Sequence, residues 1–390
     1  MKTIVALAMA LILMMSVLTN AKENNVEENG GMNPDAKAAV LMEASSGTIV
    51  FAKNEDERLS PASITKIMTL ILIFDAIHDG KIKLNDLATT SAYAKSMGGS
   101  QVFLEEGEQQ SVETLIKCIV VASGNDASVT MAEMIGGSEE KFVEMMNERA
   151  KELGMNDTHF IDCCGLSDSD EHYTSAGDVA IMSRELITKY PEILNYSTIW
   201  MENITHNTKQ GSKEFVLSNT NKLLKTNRYV KGLKTGSTSK AKYCVSTVAV
   251  KDGVEMIAVI MAAPDYKKRF SEAEKLITYG FANCKVYKDE NKENRSVKVQ
   301  NGKKNRVKIK SMGFSYVDTS GKDLKNIKRK IKLKDKITAP IIPGDVLGKI
   351  EYEMDGKKIG ETNLVADEPV EKADYLHILK AMTGRMLQIE

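Results

Sequence analysis

The sequence predicts an α+β fold: an antiparallel sheet of about five strands beside a helical region, then a small all-β domain and a C-terminal amphipathic helix. Three observations carry this expectation. Short apolar strands flank turn residues near position 45 and again between 231 and 263. Between them, roughly from Ser63 to Tyr190, long apolar stretches have helical character. After Lys285 the chain turns lysine-rich, with alternating apolar residues.

The elements follow in order. Met1 to Ala21 reads as a secretory signal: Lys2 is the positive end, Ile4 to Leu18 the apolar stretch, and Thr19-Asn20-Ala21 the small-residue cleavage site. An uncleaved anchor is the alternative. Residues 22–34 form a polar lead, expected to be disordered. A large domain is expected over 35–286, opening with a hairpin of Ala38–Met42 and Thr48–Ala52 around Ser45-Ser46-Gly47. From Ile67 to Ile77 almost no polar face remains, which marks a central buried helix. Lys231–Ser237, Lys242–Val250 and Met256–Met261 supply three more strands, the last two joined by the hairpin signal Asp252-Gly253. Ser271–Ala282 is a helix returning onto the sheet.

Three short strings carry chemistry. The first is Ser63-Ile64-Thr65-Lys66. Ser60 is expected to cap a helix with Pro61 at its first position, which puts Ser63 in the first turn near the positive end of the helix dipole. Lys66 at i+3 shares its face. A hydroxyl becomes a strong nucleophile only when a base takes its proton, and a lysine serves as that base when burial and nearby positive charge keep it neutral. The second string, Ser123-Gly124-Asn125, follows the apolar run Leu115–Val121. Gly124 breaks that run, so two short polar side chains project from a turn. Ser123 is placed to pass a proton to a leaving amine, and Asn125 to hold a substrate carbonyl or orient a lysine.

The third string, Lys234-Thr235-Gly236, lies on an expected edge strand, whose free backbone groups suit an extended peptide. Gly236 allows close approach of substrate to the backbone. The next N–H, on Ser237, pairs in this reading with the Ser63 N–H as an oxyanion hole. Lys234 and Thr235 suit a carboxylate.

In this order, the strings resemble the S-x-x-K, S-D-N and K-T-G set of penicillin-binding proteins and serine β-lactamases. Roughly residues 37–285 are similar to the D-alanyl-D-alanine carboxypeptidases, low-molecular-mass penicillin-binding proteins of the serine peptidase type. The likeness extends through Pro61–Thr69, Gly232–Thr238 with Tyr243-Cys244, and His172–Ala176 with Asp178. It implies a serine β-lactamase/DD-peptidase-like fold and a set of roles. Ser63 would be the nucleophile and Lys66 the general base, while Ser123 and Asn125 relay protons and hold substrate. Lys234 and Thr235 would bind the terminal carboxylate. Arg269 falls where the family has a basic residue near the site, although a solvated arginine is an equal reading. The implied substrate is a peptidoglycan stem peptide ending in D-Ala-D-Ala, from which the terminal D-alanine is removed through an acyl-enzyme on Ser63. β-Lactams would acylate the same serine. No cofactor is implied.

The chain departs from the family at Cys163-Cys164 before Gly165-Leu166, at Lys242 before Tyr243, and at Ser237 after the third string. These bear on substrate preference more than on chemistry. A β-lactamase or a DD-endopeptidase on the same scaffold, and a non-catalytic wall-binding protein, are the competing readings. For the first of these, Glu192 offers only a faint match to the extra glutamate of class A enzymes.

Five cysteines in 390 residues make no disulfide framework, and Cys118 and Cys244 lie on apolar elements as small buried hydrophobes. The adjacent pair Cys163-Cys164 lacks metal-ligand spacing, and no metal is expected. Zero formal net charge and no recognised binding motif argue against a nucleic-acid partner. Over 287–368 a small β-sandwich-like domain is expected. From Lys285 to Pro340 it carries 18 basic residues against 6 acidic, for which a solvated face is preferred to contact with anionic lipid or wall polymer. Over 369–390, Tyr375, Ile378, Leu379, Met382 and Met386 share one helical side. This helix is expected at a membrane interface, with docking on the β domain as the alternative. The protein is accordingly expected to be secreted, at the outer face of the cell membrane.

Overall fold

The computed structural model describes residues 32–208, 211–289, 295–318, 322–375 and 379. The expected signal over 1–21, most of the polar lead and most of the terminal helix lie outside the described residues. The chain forms two compact units. The first holds the described residues up to Met42 with Phe51–Ala249 and Ile257–Ile277; the second holds Glu43–Val50, Val250–Met256 and residues from Thr278 onward.

The first unit is built on a five-stranded sheet. Its strands are β1 (Ala38–Glu43), β2 (Thr48–Lys53), β3 (Val230–Thr238), β4 (Lys242–Lys251) and β5 (Val254–Ala263), in the order β2-β1-β5-β4-β3. The order follows from hydrophobicity. β1 and the middles of β4 and β5 are buried, as strands covered on both faces must be. β3 is an edge strand, as its sequence implied. The central helix α1 (Lys66–His78) is buried along most of its length, including Lys66 itself. Around it lie α2 (Val112–Val121), α3 (Asn125–Gly136), α4 (Glu139–Glu152) and α5 (Ala176–Lys189), and α6 (Tyr266–Asn283) follows β5. The Ser111 side chain caps α2 by accepting from the Thr114 N–H at 3.1 Å. A further hairpin, Met201–Thr208 with Gly211–Ser218, went unread in the sequence.

The start of α1 corrects the sequence reading. Ser60 caps nothing: Ala62–Thr65 is a 3₁₀ turn preceded by Pro61, without a side-chain cap, and α1 begins only at Lys66. Ala62 takes a left-handed φ of 46°, which breaks the helical path that the Ser60 cap required. Ser63 therefore sits in a tight turn ahead of the helix. Asn125 likewise is not a loop residue but the first residue of α3, while Ser123 before it has φ 62°.

The segment 162–167 braces this turn. Asp162 accepts from the backbone N–H groups of Cys164 (2.8 Å), Gly165 and Ser167 (2.8 Å), folding the segment around one carboxylate. Gly165 has φ 77°, and a Cβ there would lie 1.8 Å from the Ala62 carbonyl oxygen. Only glycine fits both demands. His172 ties the segment to the turn from the other side. Its Nδ1 accepts from the Ile161 N–H at 3.0 Å, so the ring proton sits on Nε2 and is donated to Thr65 Oγ1 at 2.8 Å.

The second unit contains β6 (Lys285–Asp289), β7 (Arg295–Lys298), β8 (Arg306–Ser311), β9 (Phe314–Asp318), β10 (Lys328–Leu333), β11 (Val346–Met354) and β12 (Lys357–Ala366). Five of them form a sheet in the order β7-β8-β12-β11-β10, and β6 pairs with β9. Val307, Ile309, Ile350, Tyr352 and Leu364 belong to its core. Three of its strand lysines face carboxylates across the sheet: Lys330 meets Glu353 at 2.6 Å, Lys332 meets Glu351 at 2.5 Å, and Lys349 meets Glu361 at 2.8 Å. Two of the basic residues counted along 285–340, Lys330 and Lys332, thus meet acids on β11.

The His172 contacts generate a pH dependence. Burial lowers the His172 pKa below its ordinary 6.5, against the opposing pull of Asp162. The unfolded chain takes up the proton first as pH falls, so stability is fully present above about pH 6.5 and declines through the window below it. Thermal unfolding compared between about pH 7.5 and about pH 5 should show a steeper loss for the native chain than for His172→Gln. Equal losses would remove His172 from this account.

Candidate active site

Lys66 is the centre of the arrangement. Its side chain is fully buried at the start of α1, and its Nζ has three oxygen neighbours: Ser63 Oγ at 3.0 Å, Asn125 Oδ1 at 2.6 Å and the Cys164 carbonyl at 2.8 Å. Desolvation drives its pKa below the usual lysine value of 10.5, with the surrounding thiols and Asp162 opposing. Asn125 is oriented by its own second bond, donated from Nδ2 to the Gly98 carbonyl at 2.7 Å, which turns the amide oxygen toward Lys66. The lysine beside Ser63 is thus dry and close, the arrangement that a general base requires.

A second buried lysine lies on β3. Lys234 Nζ donates to Ser123 Oγ at 2.9 Å and to the Thr235 carbonyl at 2.9 Å. Its pKa is pushed well below 10.5, first by desolvation and then by the positive charges of Lys66 and Arg269. Two buried amines and a guanidinium in one region favour an anion, and a substrate carboxylate is the fitting partner. Thr235 Oγ1 donates to Thr220 Oγ1 at 2.7 Å beside it.

Gly236 brings the two layers together. A Cβ on Gly236 would lie 2.8 Å from the Pro61 oxygen and 3.0 Å from the Ser63 nitrogen, so β3 packs directly on the Ser63 turn. Ser237, one residue on, is exposed. Arg269 on α6 is only 5% exposed; one terminal nitrogen, Nη1, donates to the Gly236 carbonyl at 3.2 Å and to the Cys244 carbonyl at 3.4 Å. The residues singled out in the sequence therefore form two direct clusters: Ser63, Lys66 and Asn125 in one, Ser123 and Lys234 in the other. Thr235 and Gly236 adjoin them on the same strand.

Other contributors went unrecognised in the sequence. The Cys164 carbonyl, the Gly98 carbonyl and Thr220 carry no motif, since any residue supplies a carbonyl and threonines are common. Asp162 did leave a trace: an Asp followed at three and five residues by Gly165 and Ser167 is the composition of an Asx-type turn. Asp126, next to Asn125, accepts from the Val102 and Leu104 N–H groups at 3.1 and 3.0 Å and so holds the loop that follows Gly98. Cys118 and Cys244 are buried, as expected of small hydrophobes.

Comparison with known proteins agrees with this geometry. Residues 22–265 match the family described as D-alanyl-D-alanine carboxypeptidase, and residues 281–372 match the C-terminal domain of penicillin-binding protein 5. The chain is 43% identical to the D-alanyl-D-alanine carboxypeptidase DacF of Bacillus subtilis over 354 residues, 90% of either chain. It is 33% identical to DacC of Escherichia coli over 377 residues, covering 94% of this chain and 91% of that one. Among solved structures, penicillin-binding protein 5 of Haemophilus influenzae superposes with a TM-score of 0.71 at 34% identity, covering 87% of this chain and 99% of that one. Penicillin-binding protein D2 of Listeria monocytogenes, solved in an ampicillin-bound form, superposes with a TM-score of 0.53 at 29% identity, covering 64% and 98%. With a buried lysine aimed at a serine, a lysine-bearing edge strand beside it and relatives matched along most of its length, the chain belongs to the D-alanyl-D-alanine carboxypeptidase family of serine hydrolases.

Proposed function

We propose that Ser63 is the nucleophile of this serine-type D-Ala-D-Ala carboxypeptidase and that Lys66 is its general base. The enzyme removes the terminal D-alanine from peptidoglycan stem peptides. The single observation that carries the assignment of roles is the fully buried Lys66 Nζ, 3.0 Å from Ser63 Oγ and held by Asn125 and the Cys164 carbonyl.

The reaction follows in steps. Neutral Lys66 takes the hydroxyl proton as Ser63 Oγ attacks the carbonyl of the penultimate D-alanine. The oxyanion is held by the N–H groups of Ser63 and Ser237, and the terminal carboxylate by Lys234 and Thr235, with Thr220 behind Thr235. Asn125 orients the lysine. The proton held by Lys66 then passes to the leaving D-alanine nitrogen, directly or through Ser123, which accepts from Lys234 and regains from Lys66 the proton it gives up. Water then cleaves the acyl-enzyme. A β-lactam presents an amide and a carboxylate to the same groups and acylates Ser63 without a departing fragment. This work belongs to the domain over 35–286, and no step requires a cofactor.

The protein is further proposed to act outside the cytoplasm at the outer face of the membrane, through its terminal segment. No helix among the described residues is long and apolar enough to cross a membrane. Tyr375 and Leu379 are 77% and 44% exposed, consistent with an apolar side offered to a lipid interface.

Three outcomes are expected. Fluorescent penicillin should leave a covalent adduct on the native chain, visible on a denaturing gel and by intact mass, and none on Ser63→Ala; labelling of a folded Ser63→Ala protein would exclude Ser63. The acylation rate should rise with pH along a limb whose apparent pKa lies below the ordinary lysine value of 10.5, and Lys66→Arg should abolish it. A limb at or above that value would contradict a desolvated base. Finally, the mature chain should float with anionic vesicles, and a chain ending at residue 368 should not; equal flotation would place membrane contact elsewhere.

A further inference from the structure

We infer that Arg269 is a positioning residue for the oxyanion hole, acting through the Gly236–Ser237 peptide. The inference rests on the proposed use of the Ser63 and Ser237 N–H groups. It begins with a constraint on direction. Gly236 lies opposite Cys244 in the antiparallel β3–β4 ladder. Paired residues either turn their carbonyls toward each other or away from each other. Arg269 Nη1 lies 3.2 Å from the Gly236 oxygen and 3.4 Å from the Cys244 oxygen. One nitrogen reaches both only if the two carbonyls face each other across the ladder. The Gly236 C=O therefore points inward to β4. The Ser237 N–H, on the opposite side of the same planar peptide, points out of the free edge of the sheet. That is the edge on which the glycine packs against the Ser63 nitrogen.

A guanidinium bonded to the carbonyl at one end of this peptide has two effects on the N–H at the other. It fixes the rotation of the peptide plane, so the donor is aligned before substrate arrives. It also draws electron density toward the carbonyl, which strengthens the N–H as a donor, as in any chain of coupled hydrogen bonds. The arrangement has a visible cost. Arg269 Nε is buried and has no hydrogen-bond partner among the described residues. The guanidinium is instead seated against the rings of Phe270, Tyr266 and Tyr243, at 4.6, 5.2 and 5.7 Å from their centroids. The aromatic seat and the forgone Nε bond both leave Nη1 on the two carbonyls. Sheet packing alone would be served by an apolar side chain, without a buried cation.

The test uses the mature chain with Arg269→Met and Arg269→Lys, each checked for folding by thermal melting. Acylation by benzylpenicillin and by its methyl ester is resolved into a binding constant and a first-order rate. The infrared carbonyl band of the acyl-enzyme is recorded as well, since an ester carbonyl in a strong oxyanion hole absorbs at lower wavenumber. The first-order rate should fall about 10- to 100-fold in Arg269→Met for both compounds, somewhat less than the loss of a whole oxyanion-hole donor. The binding constant of the methyl ester should hold, the carbonyl band should move up, and Arg269→Lys should recover part of both effects. An unmoved band and rate in either folded variant overturns the inference. So does a loss confined to binding of the free acid and absent for the methyl ester, which would make Arg269 a ligand of the substrate carboxylate. If the native chain itself forms no acyl-enzyme, the underlying assignment of Ser63 fails and the inference with it. A native chain that acylates beside unaffected variants sinks the inference alone.

Discussion

Everything in the first unit is arranged around one costly fact, a lysine buried completely at the start of the central helix. A charged ammonium there would lack the solvent that normally stabilises it, a penalty of several kcal/mol even after relaxation. The structure answers with three oxygen neighbours from three separate segments: Ser63 on the turn, Asn125 on α3 and Cys164 in the Asp162-centred loop. Those oxygens tolerate either protonation state, while desolvation lowers the lysine's pKa from its ordinary value. Stability and chemistry are therefore coupled. The contacts that make the burial bearable are those that aim the base.

The same logic explains why so much scaffolding serves a short turn. Ala62 at positive φ, Gly165 pressed on its carbonyl, and Gly236 pressed on the Ser63 nitrogen leave the turn little freedom. His172 bonds Thr65 on one side, and Glu139 receives the Cys163 N–H at 2.9 Å and the Tyr93 hydroxyl at 2.6 Å on the other. Such over-determination is what holds a strained backbone in place. The Ser63 turn, the helix with its lysine and the edge strand are thus fixed against one another, the preorganisation that the proposed reaction needs.

The second unit is a different kind of object. Its strands alternate apolar and lysine residues, and three of those lysines, Lys330, Lys332 and Lys349, meet a carboxylate on a neighbouring strand. Exposed pairs of this kind contribute little stability each. Their effect is on surface character: β11, lying beside β10, sets Glu353 and Glu351 against Lys330 and Lys332.

The sequence alone determined the class of fold, the strands that close the sheet, and the side chains of the site. The reason is that alternation, apolar runs and turn residues are local properties, and the serines, lysines and asparagine that now lie together stand in short strings. Ser63 and Lys66 could be joined without a structure because they are three positions apart. Joining Lys66 to Asn125 across 59 residues, or Ser123 to Lys234 across 111, rested on likeness to known enzymes until the fold brought them within hydrogen-bonding distance. Only the tertiary structure decided the backbone partners: the Cys164 and Gly98 carbonyls, the 3₁₀ turn in place of a capped helix, and the carbonyls under Arg269. Backbone acceptors belong to every residue alike, so their identity is written only where chain segments meet.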